Sequence, residues 1–355
     1  MKDMHINTKC IQEGYKPKNG EPRILPIYQS TTFKYDSTEH VGALFDLAEP
    51  GYMYTRISNP TTECVENKIA ALEGGVGALC TSSGQAANLI AILNICTAGD
   101  EFLCSSAIYG GTVNLFAVTL KKYGIETIFV DAYADEAAIS AAIQDNTKAI
   151  FGETIANPAL TVLDIEKFAK VAHAHGIPLI VDNTVPSPYL CRPFDHGADI
   201  VVHALTKYIG GHGTSIGGII VDSGKFPWAQ HKERFKRLNT PEVSYHGVVY
   251  TEALGPAAYI GRARTVPLRN MGAAISPFNA FLILQGLETL PLRMDRIGEN
   301  ARKVAEFLQK HPKVNWVNYS GLPDHKDYPL VQKYMRGNAS GILNFGVKGG
   351  REAGA

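Results

Sequence analysis

Residues 178–213 carry the reading that decides the fold: Pro178-Leu-Ile-Val-Asp-Asn-Thr-Val-Pro-Ser-Pro-Tyr-Leu-Cys-Arg-Pro-Phe-Asp-His-Gly-Ala-Asp-Ile-Val-Val-His-Ala-Leu-Thr-Lys-Tyr-Ile-Gly-Gly-His-Gly213. Two short strand-like runs stand in it, Pro178–Val181 and Ile200–His203. Polar chemistry follows each of them closely: Asp182 after the first, Thr206 and Lys207 after the second. Outward in both directions the same kind of run recurs, at Ala78–Thr81, Glu101–Ser105, Thr127–Val130, Lys148–Phe151 and Gly218–Val221. Amphipathic stretches separate most of them. Strands alternating with helices predict an α/β fold, with a mostly parallel seven-stranded sheet covered by helices on both faces. No repeat with a period of about 20 to 50 residues is present, which argues against a solenoid.

The flanks read differently. Residues 1–60 are rich in Pro, Gly, Tyr and Thr with little periodicity, and are expected to form an extended N-terminal arm. Asn59-Pro60 then opens a helix, Asn as the cap and Pro at the first helical position, where its missing N–H costs nothing. Val65, Ile69 and Leu72 give that helix an apolar face, and Gly74 ends it. The large domain is expected over 61–285, with an irregular insertion at about 223–275. A Leu-rich helix starts from Ser276, and a further strand is expected over Gly341–Val347. Residues 286–355 thus read as a smaller C-terminal α/β domain. One strand and one or two helices make an incomplete unit, so the natural chain is expected to continue beyond Ala355.

Bulk properties narrow the function classes. Basic and acidic residues balance, 34 against 34, which removes the electrostatic argument for nucleic acid or an anionic membrane. The first ten residues are charged and lack an apolar core, unlike a signal peptide, and runs such as Leu89–Cys96 are far too short to span a bilayer. The six cysteines show no C-x-x-C spacing and read as reduced, partly buried thiols of a cytoplasmic protein.

Three segments lie where an open parallel sheet binds ligands, beyond the carboxyl ends of its strands. Thr81-Ser82-Ser83-Gly84-Gln85 joins a strand to a helix; its small residues and backbone N–H groups suit an anion such as phosphate, although a serine-capped turn looks the same. Asp182 ends a buried strand, a costly place for a carboxylate unless it meets a cation or caps a helix; a pyridinium nitrogen would be such a cation. Lys207 follows an apolar strand, where desolvation would lower its pKa and free the amine for imine chemistry. A lysine snorkelling from the strand end is the plainer alternative. Thr206 beside it can donate a hydroxyl to the phosphate. Together the three supply a phosphate cradle, a ring-nitrogen carboxylate and a Schiff-base lysine in the order that pyridoxal 5'-phosphate (PLP) needs. His173-Ala-His175 lacks the spacing and the nearby carboxylate of a metal site and reads as helix surface, and His212 and His246 read as structural.

Residues 199–213 resemble the lysine signature of the Cys/Met-metabolism PLP-dependent enzymes, within the fold-type I superfamily, and the match extends over nearly the whole chain. The resemblance implies that Lys207 is the Schiff-base lysine, that Asp182 pairs the ring nitrogen, and that Gly84 and Gln85 donate backbone N–H groups to the phosphate, with Ser83, Thr184 and Thr206 among the binding residues. Tyr109-Gly-Gly-Thr112 is similar to the motif whose tyrosine stacks on the ring and assists proton transfer. Glu153-Thr-Ile-Ala-Asn157-Pro158 is similar to the motif whose asparagine lies beside the ring hydroxyl. Tyr54-Thr-Arg56 resembles the family's arm, which contacts the cofactor phosphate of a neighbouring subunit, so a homo-oligomer, a dimer of dimers, is implied. Ala204 departs from the pattern, since many relatives have serine there. The family's substrate-carboxylate arginine lies in a motif beyond this chain.

The stretch from Trp228 to Met271 is longer than in the family's lyases and resembles O-acetylhomoserine sulfhydrylases. Gly111 stands where methionine γ-lyases carry cysteine. The resemblance therefore implies γ-replacement on O-acetylhomoserine by sulfide or a thiol, giving homocysteine or its thioether and acetate. Methionine or cystathionine γ-lyase and cystathionine γ-synthase remain alternatives on the same site. A nicotinamide dehydrogenase is disfavoured because no glycine fingerprint follows the first strand, and a non-catalytic PLP carrier is the third alternative.

Overall fold

The computed structural model describes residues 4–354. Its centre is the expected sheet, formed by β1 (Gly77–Thr81), β2 (Glu101–Ser105), β3 (Glu126–Val130), β4 (Thr147–Glu153), β5 (Leu179–Asp182), β6 (Ile200–Ala204) and β7 (Gly218–Asp222). The spatial order is β1-β7-β6-β5-β4-β2-β3. Only β7 runs antiparallel to its neighbours, pairing with β1 on one side and β6 on the other. The central strands are apolar because both faces are covered: Leu179, Ile180, Val181, Ile200 and Val201 are wholly buried. Parallel pairing puts the carboxyl ends of β4, β5 and β6 side by side, with Glu153 opposite Asp182.

Helix ends follow their local chemistry. Asn59 caps Pro60–Glu73 by accepting the Thr61 N–H at 2.9 Å, and Gly74 closes it at φ +84°. Ser83 and Ser276 cap Gly84–Leu93 and Pro277–Glu288 in the same way. His173, expected on a helix surface, is half-exposed there and reaches Asp199 at 2.8 Å. All six cysteines are free and buried.

Three segments differ from their sequence reading. The N-terminal 60 residues are not extended throughout, since Ile6–Gln12 and Thr38–Phe45 are short helices. The first is held from outside: Lys68 Nζ donates to the carbonyls of Cys10 and Ile11, which no local pattern announces. Residues 223–275 are largely helical turns packed on the large domain, with Trp228 stacked on Tyr259 and partly buried ion pairs Arg262–Glu242 and Arg264–Glu66. The C-terminal part contains a strand the reading missed, β8 (Val314–Asn318), paired antiparallel with β9 (Asn344–Val347). Its sequence, Val-Asn-Trp-Val-Asn, is short and half polar, and it lies at an exposed two-stranded edge. Among the described residues no helix is long and apolar enough to cross a membrane.

Candidate active site

The ends of β4, β5 and β6 open onto a cavity of about 700 Å³. Asp182, the last residue of β5, forms part of its wall. Its Oδ1 accepts the Thr184 N–H at 3.0 Å and the Thr184 hydroxyl at 2.5 Å. Thr184 Oγ1 accepts the Ala204 N–H at 2.8 Å in turn, so this threonine ties the carboxylate to the end of β6. Burial pushes the Asp182 carboxyl above its usual range, against the hydrogen bonds from Thr184 and Asn88 and the nearby His203, which pull it down. Neither Thr184 nor Asn88 brings positive charge, and a cationic N–H donor would relieve the buried carboxylate.

Ser83, Gly84 and Gln85 also line the cavity, as the cap and first turn of Gly84–Leu93. Ser83 Oγ accepts the Ala86 N–H at 3.1 Å, which leaves its own O–H to donate. The N–H groups of Gly84 and Gln85 belong to the helix's unpaired first turn, at its positive end. A Cβ on Gly84 would lie 2.6 Å from that of Ala204, so only glycine lets this loop and β6 approach so closely. Ala204 adds no hydroxyl. The hydroxyl expected from Thr206 is engaged elsewhere: it donates to the Gly217 carbonyl at 3.2 Å and accepts the Gly217 N–H at 3.1 Å. The antiparallel return into β7 passes beside Thr206 and takes that hydroxyl, which the linear sequence does not reveal.

Tyr109 stands at the cavity mouth, 48% exposed, and its backbone N–H donates to Glu153 Oε2 at 2.6 Å. A Cβ on Gly111 would come within 2.5 Å of the Tyr109 ring and 2.9 Å of the Gln85 side-chain amide, so a side chain there would have to displace both. Asn157 lines the same wall just before the cis Asn157–Pro158 peptide.

Lys207 also reaches this cavity, three residues past β6. Its backbone is fixed by bonds from its N–H to Ala204 O and from Gly211 N to its carbonyl, at 3.2 and 2.8 Å. The side chain is exposed rather than desolvated, which corrects the expectation drawn from its place after an apolar strand. The strand is buried, but the residue after it projects into an open cavity. Arg293 fixes the following turn, donating to the carbonyls of Tyr208 and Gly286 at 2.6 Å each and to Thr289 Oγ1 at 3.1 Å.

Nine of the eleven expected site positions, Ser83, Gly84, Gln85, Tyr109, Asn157, Asp182, Thr184, Thr206 and Lys207, line this one cavity. Tyr54 and Arg56 do not. Arg56 donates to the Arg269 carbonyl and lies 5.2 Å from the Tyr54 ring centre, and Tyr54 is 41% exposed. Sequence reasoning passed over Glu153, Asn88 and Arg293. Glu153 carries the same signal as Asp182, an acid ending an apolar strand, but stands at the head of the asparagine motif, which masks it.

Residues 7–355 match the family of Cys/Met metabolism PLP-dependent enzymes. The chain belongs to that family. Pyridoxal phosphate is the cofactor of this PLP-dependent enzyme, and the cavity fits it. The cradle a Cβ would fill lies at a helix N-terminus, where a phosphate is favoured, and the half-buried Asp182 has no cation of the kind a ring nitrogen would bring among its hydrogen-bond partners. Gln85 Oε1 and Asn88 Oδ1, both on the cavity wall, are buried without a hydrogen-bond partner. An O-acetyl-L-homoserine sulfhydrylase from Leptospira meyeri is 52% identical over 355 residues, covering 97% of this chain and 80% of the relative. The homocysteine synthase of Schizosaccharomyces pombe is 49% identical over 348 residues, 98% of this chain and 81% of the relative. Among solved structures, one from Campylobacter jejuni, described as an O-acetylhomoserine (thiol)-lyase with a pyridoxyl-lysine monophosphate, superposes with a TM-score of 0.94 at 39% identity, covering 97% of this chain and 86% of that one.

Proposed function

We propose that this enzyme replaces the acetoxy group of O-acetylhomoserine with sulfide or a thiol, giving homocysteine or its thioether and acetate. The observation that carries the reading is the convergence of Lys207, Asp182 and the Ser83–Gln85 cradle in one cavity, in a chain whose relatives are named for this reaction. Bound pyridoxal phosphate acts as an electron sink for carbanions at the substrate's Cα and Cβ. Lys207 would hold the cofactor through its amine, and the same amine, free when substrate is bound, would carry protons from the substrate's Cα and Cβ, so that acetate can leave from Cγ and sulfur add there. Asp182, its direction fixed by Thr184, would hold the proton on the ring nitrogen. Ser83, Gly84 and Gln85 donate to the phosphate. Tyr109 would pack on the ring face and serve as the second proton-transfer group, and Asn157 would hold the ring hydroxyl.

A product assay tests this. Purified enzyme given O-acetylhomoserine and sulfide should form homocysteine in excess over 2-oxobutyrate. Predominant 2-oxobutyrate at saturating sulfide would make it a γ-lyase, and turnover confined to O-succinylhomoserine with cysteine would make it a cystathionine γ-synthase.

The active unit is a dimer with shared sites, paired into a tetramer. What supports this is the position of Tyr54 and Arg56, outside their own chain's cavity yet carrying the arginine best suited to bidentate phosphate binding. The buried, unpaired thiols suit a reducing, cytoplasmic setting. Arg56→Ala and Lys207→Ala proteins, each inactive, should regain activity when unfolded and refolded together. Random pairing puts one intact site in about half of the dimers, hence about a quarter of full activity. A dead mixture in which hybrid oligomers are demonstrated by mass would sink the shared site.

A further inference from the structure

Glu153 is the one acid on the cavity wall, besides Asp182, that no step above employs. It ends β4 and is 5% exposed, after the wholly buried run Ala149, Ile150 and Phe151. A leucine would fill such a place without the cost of desolvating a carboxyl, so a retained glutamate calls for a polar partner. Two backbone groups meet it: the Tyr109 N–H at 2.6 Å, across from the β2 side, and the Asn157 N–H. Parallel pairing sets it directly beside Asp182.

The loop carrying Tyr109 needs such an anchor. Tyr109 precedes a helical run that starts at Gly110 without a side-chain cap and continues through Leu120, and two glycines follow the tyrosine at once. Adjacent glycines give the backbone wide freedom. The ring itself is half in solvent. The backbone N–H groups of Thr112 and Val113 bond back to the Tyr109 carbonyl, and the Thr112 hydroxyl accepts from Gln85 and Asn88 at 3.3 Å each, which ties the loop to the neighbouring helix but leaves the Tyr109 N–H to Glu153.

We infer that Glu153 is a positioning residue: its carboxyl clamps the Tyr109 backbone to the end of β4 and so sets the height of the Tyr109 ring over the cofactor. The inference rests on the PLP reading of the site. Burial, and then the charge of Asp182, push the Glu153 carboxyl well above its usual range, against the two backbone N–H donors. Burial and the neighbouring Asp182 thus both disfavour a second negative charge at this place. A glutamine, neutral and with a carbonyl in the same place, should replace it.

The test is a mutant cycle on holoenzyme. Glu153→Leu keeps the volume but cannot accept the Tyr109 N–H. It should lower kcat by about 10- to 100-fold, the range set by one orphaned buried donor, and change the visible circular dichroism of the bound cofactor, which reports ring orientation. Glu153→Gln should keep kcat within about 3-fold and restore the dichroism. In a Tyr109→Ala background Glu153→Leu should cost less than about 2-fold more, because residues acting through one another are not additive. Equal losses in both backgrounds, or a Gln variant as damaged as the Leu variant, would overturn the inference. Should Glu153→Leu fail to fold, Glu153→Ala carries the same cycle. Wild type without a visible cofactor band would instead refute the reading of the site, and the two failures are thereby distinct.

Discussion

Lys207→Ala should leave a folded protein whose turnover is lowered by at least about 10⁴-fold. Loss of a positioned general base alone costs about 10²–10⁴-fold, and this residue also supplies the amine through which the cofactor is held. Folding should survive because the side chain projects into the cavity, exposed, while the turn it sits on is built from backbone bonds to Ala204 and Gly211. Arg293 grips the next carbonyls independently of the lysine. Thermal melting of the apoprotein should therefore be close to wild type. Borohydride treatment of wild-type holoenzyme, followed by peptide mapping, should place the reduced cofactor on Lys207, the only lysine among the residues lining the cavity. A reduced cofactor mapped to another lysine would remove the central assignment.

Much of this architecture is legible in the sequence because burial writes itself into short apolar runs. β2 falls at Glu101–Ser105 as read, and the other sheet strands differ from their runs by a residue or two at the ends. Asn59 and Gly74 mark their helix because capping is a local affair. Asp182 and Lys207 stand out because polar groups at the ends of buried strands need a reason. What the sequence hides is set by contacts across long separations. The helix Ile6–Gln12 depends on Lys68, and the turn after Lys207 depends on Arg293. The Thr206 hydroxyl goes to Gly217 because β7 runs back against β6, a topology no local pattern specifies. The exposure of Lys207 is hidden for a related reason, since strand burial says nothing about the open space beyond the strand's end.

Asp182→Asn separates catalysis from stability, with opposite signs. Both Thr184 contacts fall on Oδ1, an oxygen that asparagine keeps, so the link through Thr184 to Ala204 should persist. The changed atom is the other one, which becomes a donor, and the Asn88 amide that donates to the carboxylate can accept from it by turning over its partnerless Oδ1. In the folded chain the aspartate carboxyl titrates above its ordinary 3.8, so the native state holds that proton more tightly than the unfolded state does. Stability therefore falls as pH rises through the window between the ordinary value and the raised one, and above that window the full penalty of a buried anion remains. Asparagine carries no such penalty. At neutral pH the apoprotein of the variant should melt at or above the wild-type temperature, while at pH 3.5 the advantage should vanish. Turnover should move the other way, falling about 10²–10³-fold, as when one preorganised electrostatic partner is removed from an active site, because an amide cannot hold the ring nitrogen protonated. Near-normal turnover in the variant would place Asp182 outside the chemistry; lost turnover with a marked drop in melting temperature would make it a structural residue instead.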